Sequence, residues 1–208
     1  MPDQSPFDHV QAWYAIFERV IEDYHVKDDV DQPINNPFSE NTLEGLLYKK
    51  CWIDTVQWHL EDIVRDPEIK PESGMEVKRR IDKSNQERTD LVERLDDVFI
   101  DMLNLPESPA KGAVLNTESM AWAIDRLSIL ALKVYHMSVE VARGNAEKMD
   151  FLKAKQALLQ TQRADLTKAI SQLMEEVMMG KRYYKVYRQV KMYNDPSLNP
   201  VLYNKNKL

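Results

Sequence analysis

Three polar residues in the segment IDKSNQERTDL, residues 81–91, fall where a helix should bury apolar side chains. A helix turns by about 100° per residue, so Arg88 points about 20°, Asn85 about 40° and Ser84 about 60° away from Ile81. Burying an amide or a guanidinium without a partner costs several kcal/mol. We therefore expect these side chains to meet other polar groups, water or a ligand inside the fold.

Two other predicted helices carry polar residues at comparable angles. These residues are His59 and Asp62 on one helix, and Asp125, Arg126, Lys133 and His136 on the other. His59 borders an apolar face. Asp125 and His136 share one line three turns apart, and Arg126 and Lys133 share a neighbouring line. The pattern predicts a polar pocket between the second, third and fourth helices, as bundles build sites from facing helices.

The residue types suggest acid–base chemistry beside an anion site. His59 with Asp62 would form a general base with its orienting carboxylate, or two metal ligands. Cationic side chains neutralise phosphates and similar anions. We assign catalytic roles to His59, Asp62, Asp125 and His136, and ligand-binding roles to Ser84, Asn85, Arg88, Arg126 and Lys133. The alternative is a buried ion network that only sets the register of the helices.

Other chemical motifs are weak. A di-iron bundle needs two Glu-x-x-His pairs, and the chain has one, Glu22 with His25. There is no H-E-x-x-H, Walker A or GxGxxG sequence. Cys51, the single cysteine, is expected to be a packed thiol. Whether a metal or cofactor is bound, and which, is left open by the sequence.

The elements that must position these residues are helical. Only five of the 208 residues are glycine, which favours helices over tightly turned strands. Apolar periodicity predicts helices over about 6–24, 41–66, 75–103, 117–143 and 145–179, with the fourth at the centre. The expected N-caps are Ser5 for the first helix, Asn41 with Glu44 for the second, and Asn116 or Thr117 for the fourth.

We therefore expect an all-α protein, an antiparallel bundle of about five helices in a single domain, 1–208. The bundle would span 5–180, and a tyrosine-rich tail, 181–208, would form a short helix and an extended segment packed on it. The fifth helix, about 35 residues and roughly 52 Å long, is long enough to overhang into a partner copy, so a homo-oligomer is a further expectation.

Charge and hydropathy limit the function classes. The net charge is −6, but residues 181–208 carry +6 and residues 1–180 carry −12. An acidic body argues against nucleic-acid binding, and the basic tail is expected to fold back on it. No apolar run reaches the ~18 residues of a membrane span. The N-terminus has no signal-peptide pattern, so we expect a cytoplasmic protein.

Four segments carry a family resemblance: WHLEDIVRD (58–66), IDKSNQERTDLVE (81–93), NTESMAWAIDRLSILALKVYHM (116–137) and KVYRQVKMYNDPSLNPVLY (185–203). In order and combination they resemble the bacterial domain-of-unknown-function family 4254. The resemblance implies a soluble, single-domain helical protein. It also implies an association with enzymes of cell-envelope sugar chemistry, which ranks phosphorylated or nucleotide-linked sugars first among anionic ligands.

Two functions follow from these patterns. The first is binding of, or action on, a small anionic metabolite in the predicted pocket. The second is an interaction protein whose buried polar network is structural and whose tail docks on a partner. The sequence leaves open whether the protein is an enzyme.

Overall fold

A computed structural model describes residues 5–106, 108–188 and 197–198. Its helices are α1 (Pro6–His25), α2 (Leu43–Val64), α3 (Pro71–Leu103), α4 (Met120–Ala142) and α5 (Met149–Met178). A 3₁₀ turn, Ala146–Lys148, precedes α5. Two short parallel strands, β1 (Val114–Leu115) and β2 (Arg182–Tyr183), form the sheet. The all-α expectation is confirmed.

The first helix forms where its sequence pattern predicts. Ser5 accepts a hydrogen bond from the backbone N–H of Asp8, and the Asp8 carboxylate accepts one from the backbone N–H of Ser5. This capping box satisfies donors that a helix start leaves free. The buried side chains of α1 lie at spacings of three and four, from Val10 to Tyr24. This stripe packs α1 against α2, α4 and α5.

Several predicted boundaries are wrong by a few residues. Thr42, not Asn41, caps α2, and Ser119, not Asn116 or Thr117, caps α4. The third helix begins at Pro71 because proline is tolerated in the first turn, where its missing N–H costs nothing. A cap forms where a side-chain oxygen reaches a free backbone N–H at the helix start. Asn41 and Thr42, like Thr117 and Ser119, all carry such an oxygen, so the sequence does not distinguish between them.

The fourth helix is the centre of the bundle, as its nearly all-round apolar pattern predicts. It contacts each of the other four helices. One hydrophobic core draws side chains from all five helices, for example Phe17, Leu47, Leu95, Leu127 and Ile170. Side chains that project from α4 therefore enter the interfaces with α2, α3 and α5, where the candidate site lies.

The C-terminal segment departs from its prediction. Residues 181–188 contain β2 and no helical turn, although a short helix was expected to begin here. The rest of the tail prediction falls mostly outside the described residues. β2 pairs with β1 in the connection between α3 and α4.

The fifth helix is shorter than predicted: α5 has 30 residues, and its buried side chains lie only between Thr167 and Val177. The homo-oligomer stays a prediction. None of the described helices has the length and apolar character that crossing a bilayer requires.

Candidate functional site

Four charged side chains form a buried cluster between α2, α3 and α4, which we call the ion network: Lys50, Asp54, Arg88 and Asp125. The Lys50 ammonium, with no exposed surface, donates to Asp54 Oδ2 at 2.5 Å and lies 3.0 Å from Asp125 Oδ1. Arg88 makes a two-point contact with Asp125, from Nε to Oδ1 at 2.8 Å and from Nη2 to Oδ2 at 2.5 Å. Two positive and two negative groups thus compensate one another.

The two carboxyls of the network differ in their electrostatics. Burial tends to raise the pKa of Asp125, but the charges of Lys50 and Arg88 outweigh this and hold the pKa below its usual value. Burial dominates at Asp54 and raises its pKa, although Lys50 and a hydrogen bond from Ser128 at 2.6 Å oppose the shift. Arg88 Nε lies 3.5 Å from Asp54 Oδ1, within ion-pair range, yet that oxygen accepts no hydrogen bond from the described residues.

A groove of about 670 Å³ opens beside the ion network, between α4 and α5 with Arg88 of α3 at its edge. Its polar lining residues are Arg88, Asp125, Arg126, Lys133, Gln162 and Asp165, and its apolar ones are Ile129, Leu130, Leu166 and Ala169. We call this cavity the α4–α5 groove. It contains the three cationic residues that the sequence assigned to ligand binding, but it lies on the α5 side of α4.

A smaller cavity lies between α2, α3 and α4, and Arg88 is the one predicted site residue that lines it. Its volume is about 220 Å³, and it is lined by Asp54, Gln57, Trp58, Glu61, Arg65, Arg88 and Ile129. Arg88 therefore borders both cavities. Neither His59 nor His136 lines the smaller cavity. Trp58 does line it, and its ring stacks on the His136 ring, with 4.8 Å between ring centroids.

Ser84 and Asn85 line neither of these two cavities. Gln57 of α2 bridges them, accepting from Ser84 Oγ at 3.2 Å and donating to Asn85 Oδ1 at 2.9 Å. Ser84 is buried, whereas Asn85 is exposed at the edge of the α2–α3 interface. Their observed contacts thus join two helices, and their assignment to ligand binding stays a prediction.

Three histidines from three helices form a second polar centre, which we call the histidine cluster: His25, His59 and His136. One ring nitrogen of each lies within 4.8 Å of one ring nitrogen of the other two. His59 Nε2 and His25 Nε2 are 3.2 Å apart. His136 Nε2 is buried and has no hydrogen-bond partner among the described residues.

Burial favours the neutral ring at two of the three histidines, His59 and His136. Burial, together with the nearby His25 and His59, lowers the pKa of His136 to about 4, while Asp62 and Asp28 oppose the shift weakly. Burial also lowers the pKa of His59, against the opposing charge of Asp28. A neutral imidazole can accept a proton or bind a metal ion, so either use is open to His59 and His136.

The predicted single pocket is therefore divided into two centres. Arg88 and Asp125 meet in the ion network, whereas His59 and His136 meet in the histidine cluster. Asp125 and His136 share a line on α4, but eleven residues separate them by about 16 Å along the helix axis. Asp62 is largely exposed and pairs with Arg65, away from the ion network. The catalytic assignments of His59, Asp62, Asp125 and His136 remain predictions.

Several residues of these centres escaped the sequence reasoning. Lys50 and Asp54 follow Leu46 at spacings of four, so the angular test applied to the third helix would have found them on the buried face of α2. For His25 the sequence pattern offers only its spacing from Glu22. Ser128 offered no distinguishing signal, because a serine on an apolar helix is common and needs no partner from another helix.

Comparison with known proteins identifies a family but no relative of known activity. No curated protein and no solved structure gives a significant match. Residues 44–186 match the family described as "Protein of unknown function (DUF4254)". This range includes the first three resembling segments and both polar centres except for His25. Because the match covers more than half of the chain, the protein belongs to the DUF4254 family.

Proposed function

We propose that this protein binds a small anionic metabolite in the α4–α5 groove. The observation that carries the proposal is the lining of one cavity by Arg88, Arg126 and Lys133. Its volume of about 670 Å³ falls in the range of ligand pockets, roughly 300–1,000 Å³. Three cations in one concave surface make a favourable site for a phosphate or carboxylate.

These cations have capacity left for a ligand. Lys133 is exposed, and no described residue pairs with it. Arg126 pairs with Glu118 at 2.8 Å, but its side chain is 61% exposed, so the pair is screened by water and exchanges readily for a ligand. Arg88 binds Asp125 through Nε and Nη2, which leaves Nη1 for the groove.

The rest of the lining favours a ligand with hydroxyl groups and an apolar face. Gln162 and Asp165 offer hydrogen-bond acceptors opposite the cations, and Ile129 and Leu166 offer an apolar wall. Asp125 is already compensated by Arg88 and Lys50, so its charge repels an anion weakly. A phosphorylated or nucleotide-linked sugar combines the anionic, hydroxyl and apolar parts that this lining matches. The proposal concerns binding and names no reaction.

A second candidate function rests on the ion network. Its four charged groups bind one another, which is what a structural polar core requires. In this alternative the network only fixes helix register, the groove has no ligand, and the protein acts through its surface and tail. The two functions make opposite predictions for ligand-induced stabilisation.

The test is a thermal-shift titration of the full chain with sugar phosphates, nucleotide sugars and inorganic phosphate. A ligand at ~100 times its dissociation constant stabilises the native state by ~2.7 kcal/mol. The double variant Arg126→Gln/Lys133→Gln should reduce this stabilisation and weaken binding at least ~10-fold, since each charge-assisted contact contributes about 1.5–3 kcal/mol. The control is Lys153→Gln, which makes the same lysine-to-glutamine change at an exposed position of α5 outside the groove.

The outcomes separate the two functions. Stabilisation that is lost in the double variant and kept in Lys153→Gln supports the groove as the site. Stabilisation that is equal in all three proteins contradicts it. An absence of stabilisation by every anion in the panel contradicts the binding function and favours the structural role of the ion network.

A further inference from the structure

Three of the four histidines of this chain meet at one point, although they are far apart in sequence. His25 is the last residue of α1, His59 lies in the last two turns of α2, and His136 lies in the second half of α4. A hydrophobic core has no need for three adjoining imidazoles. Their convergence is therefore the feature that the proposed anion groove does not explain.

The hydrogen bonds of His25 establish where its lone pair points. Its Nδ1 lies 2.6 Å from the backbone carbonyl oxygen of Ile21, which can only accept, so Nδ1 carries the proton. In the neutral ring Nε2 then bears the lone pair, and this atom faces His59 Nε2 at 3.2 Å. A backbone carbonyl that holds the far nitrogen of a histidine is a common way of orienting metal-ligating rings.

The spacing of the ring nitrogens suits a tetrahedral ion. Two nitrogens that bind zinc at about 2.0–2.1 Å with tetrahedral geometry lie about 3.3 Å apart. The His25–His59 distance of 3.2 Å already has this value. The third nitrogen is within 4.8 Å of both, so a side-chain shift of about 1.5 Å brings it to a tetrahedral position. The buried Nε2 of His136, without a described partner, supplies an available donor atom.

A carboxylate completes the set of possible ligands. Asp28 Oδ1 lies 3.6 Å from His59 Nε2 and 4.0 Å from His25 Nε2. Asp28 lies just beyond α1, where its backbone N–H donates to the Tyr24 carbonyl and turns the chain back over the cluster. Its side chain is 57% exposed, and those of His59 and His25 are 20% and 13% exposed, so this side of the cluster lies near the surface.

Aromatic rings hold two of the histidines in place. Tyr24 stacks on His59 with 5.1 Å between ring centroids and 13° between planes. Trp58 stacks on His136 at 4.8 Å and 4°. Rings held in this way lose little further entropy when they bind an ion, so the cluster is organised before binding.

We propose that His25, His59 and His136 bind one divalent transition-metal ion with the coordination preferences of zinc, and that Asp28 supplies the fourth ligand. Three imidazoles and one carboxylate suit Zn²⁺, Co²⁺ or Ni²⁺, whereas Mg²⁺ and Ca²⁺ prefer sites made of oxygen. The proposal is independent of the anion site, because no residue of the histidine cluster lines the α4–α5 groove.

The test uses the full chain after treatment with a chelator. Titration calorimetry with Zn²⁺ should give one site per chain, and Mg²⁺ should give no signal. Co²⁺ should produce the intense visible absorption of four-coordinate cobalt. Bound Co²⁺ should also quench the fluorescence of Trp58. In Trp58→Phe the quenching due to Trp58 should disappear, while the cobalt absorption should remain.

Variants assign the ligands. His25→Gln and His136→Gln should each weaken Zn²⁺ binding at least ~100-fold, since even partners of the ligands contribute 10–100-fold. His9→Gln changes the one histidine outside the cluster and should bind as the unaltered protein does. Circular dichroism of each metal-free variant checks that the variant folds. If a variant does not fold, the cobalt spectrum and the Trp58 quenching of the unaltered chain test the proposal without it.

Other results would overturn the proposal. These are no saturable Zn²⁺ binding by the unaltered chain, a weak cobalt spectrum typical of six-coordination, or equal affinity in folded His136→Gln and His9→Gln. In any of these cases the histidine cluster is a hydrogen-bonded packing element. The anion titration described above would be unaffected, so the two proposals fail separately.

Discussion

Lys50 is the residue on which the charge balance of the core depends. Its ammonium is within 3.0 Å of both carboxylates, and it also donates to the backbone carbonyl oxygen of Asp125 at 3.1 Å. Its side chain has no exposed surface, so its charge is not screened by bulk solvent. Without Lys50, two buried carboxylates would share the single charge of Arg88.

We expect Lys50→Met to lower the free energy of unfolding by about 3–5 kcal/mol, because it leaves a buried charge without compensation. The measurement is urea denaturation at pH 7. Lys49→Met, the same change at the exposed neighbouring residue, should stay within about 0.5 kcal/mol of the unaltered protein. The double variant Lys50→Met/Asp54→Leu should recover part of the loss, because it removes one charge of each sign.

A loss below about 1 kcal/mol in Lys50→Met would contradict this account. It would mean that Asp54, whose pKa burial raises, takes up a proton in the variant and restores the charge balance.

At the scale of elements, the start of α4 shows how two helices are joined by one polar contact. The Ser119 hydroxyl accepts from the backbone N–H of Trp122 at 3.4 Å and donates to Asp96 Oδ2 of α3 at 2.8 Å. Asp96 Oδ1 accepts from the backbone N–H of Ala121 at 3.2 Å. Asp96 therefore satisfies two groups at the N-terminus of the central helix and holds it against α3.

Substitution of Ser119 and, separately, of Thr117 tests which of the two residues caps α4. Ser119→Ala should destabilise the protein by about 1–2 kcal/mol, since it removes the cap and the bond to Asp96. Thr117→Ala should change stability by less than about 0.5 kcal/mol, because Thr117 is exposed and makes no cap. Thermal or urea unfolding provides the comparison, and equal effects of the two changes would be inconsistent with the observed cap.

At the scale of the whole molecule, the described part of the tail connects the end of α5 to α3. Arg188 donates to the backbone carbonyl oxygen of Glu93 at 2.9 Å and to Asp97 at 2.5 Å, and Arg182 pairs with Glu176. Tyr184 packs against the hydrophobic core. The ion pairs are exposed and contribute little, so the apolar contact of Tyr184 should account for most of the docking energy.

Two tyrosines of the tail provide a matched test of this docking. Tyr184→Ala should destabilise the protein by about 2–3 kcal/mol, because it removes a packed aromatic ring. Tyr187→Ala should have an effect below about 0.5 kcal/mol, since Tyr187 is 75% exposed. Tyr184→Phe should be neutral or stabilising, because the buried Tyr184 hydroxyl has no partner among the described residues. Similar losses in both alanine variants would argue against docking through Tyr184.

The helices and their buried faces follow from the amino-acid sequence alone, because apolar periodicity and prolines are local signals. Phe17, Leu95 and Leu127 are buried as that periodicity predicts. It also identified Arg88 and Asp125 as polar residues at core-facing angles, and they do contact each other across α3 and α4. The caps of α2 and α4 and the two short strands do not follow from the sequence, because each depends on contacts between residues that the local pattern does not relate.

Which polar residues share a site depends instead on how the helices pack. Asp125 and His136 project from the same face of α4, but different side chains of α1, α2 and α3 surround each of them. Lys50 and Arg88 reach Asp125, whereas His25 and His59 reach His136. The angle around a helix follows from the sequence, since it is local geometry. The partner across an interface does not, because it depends on how all five helices pack.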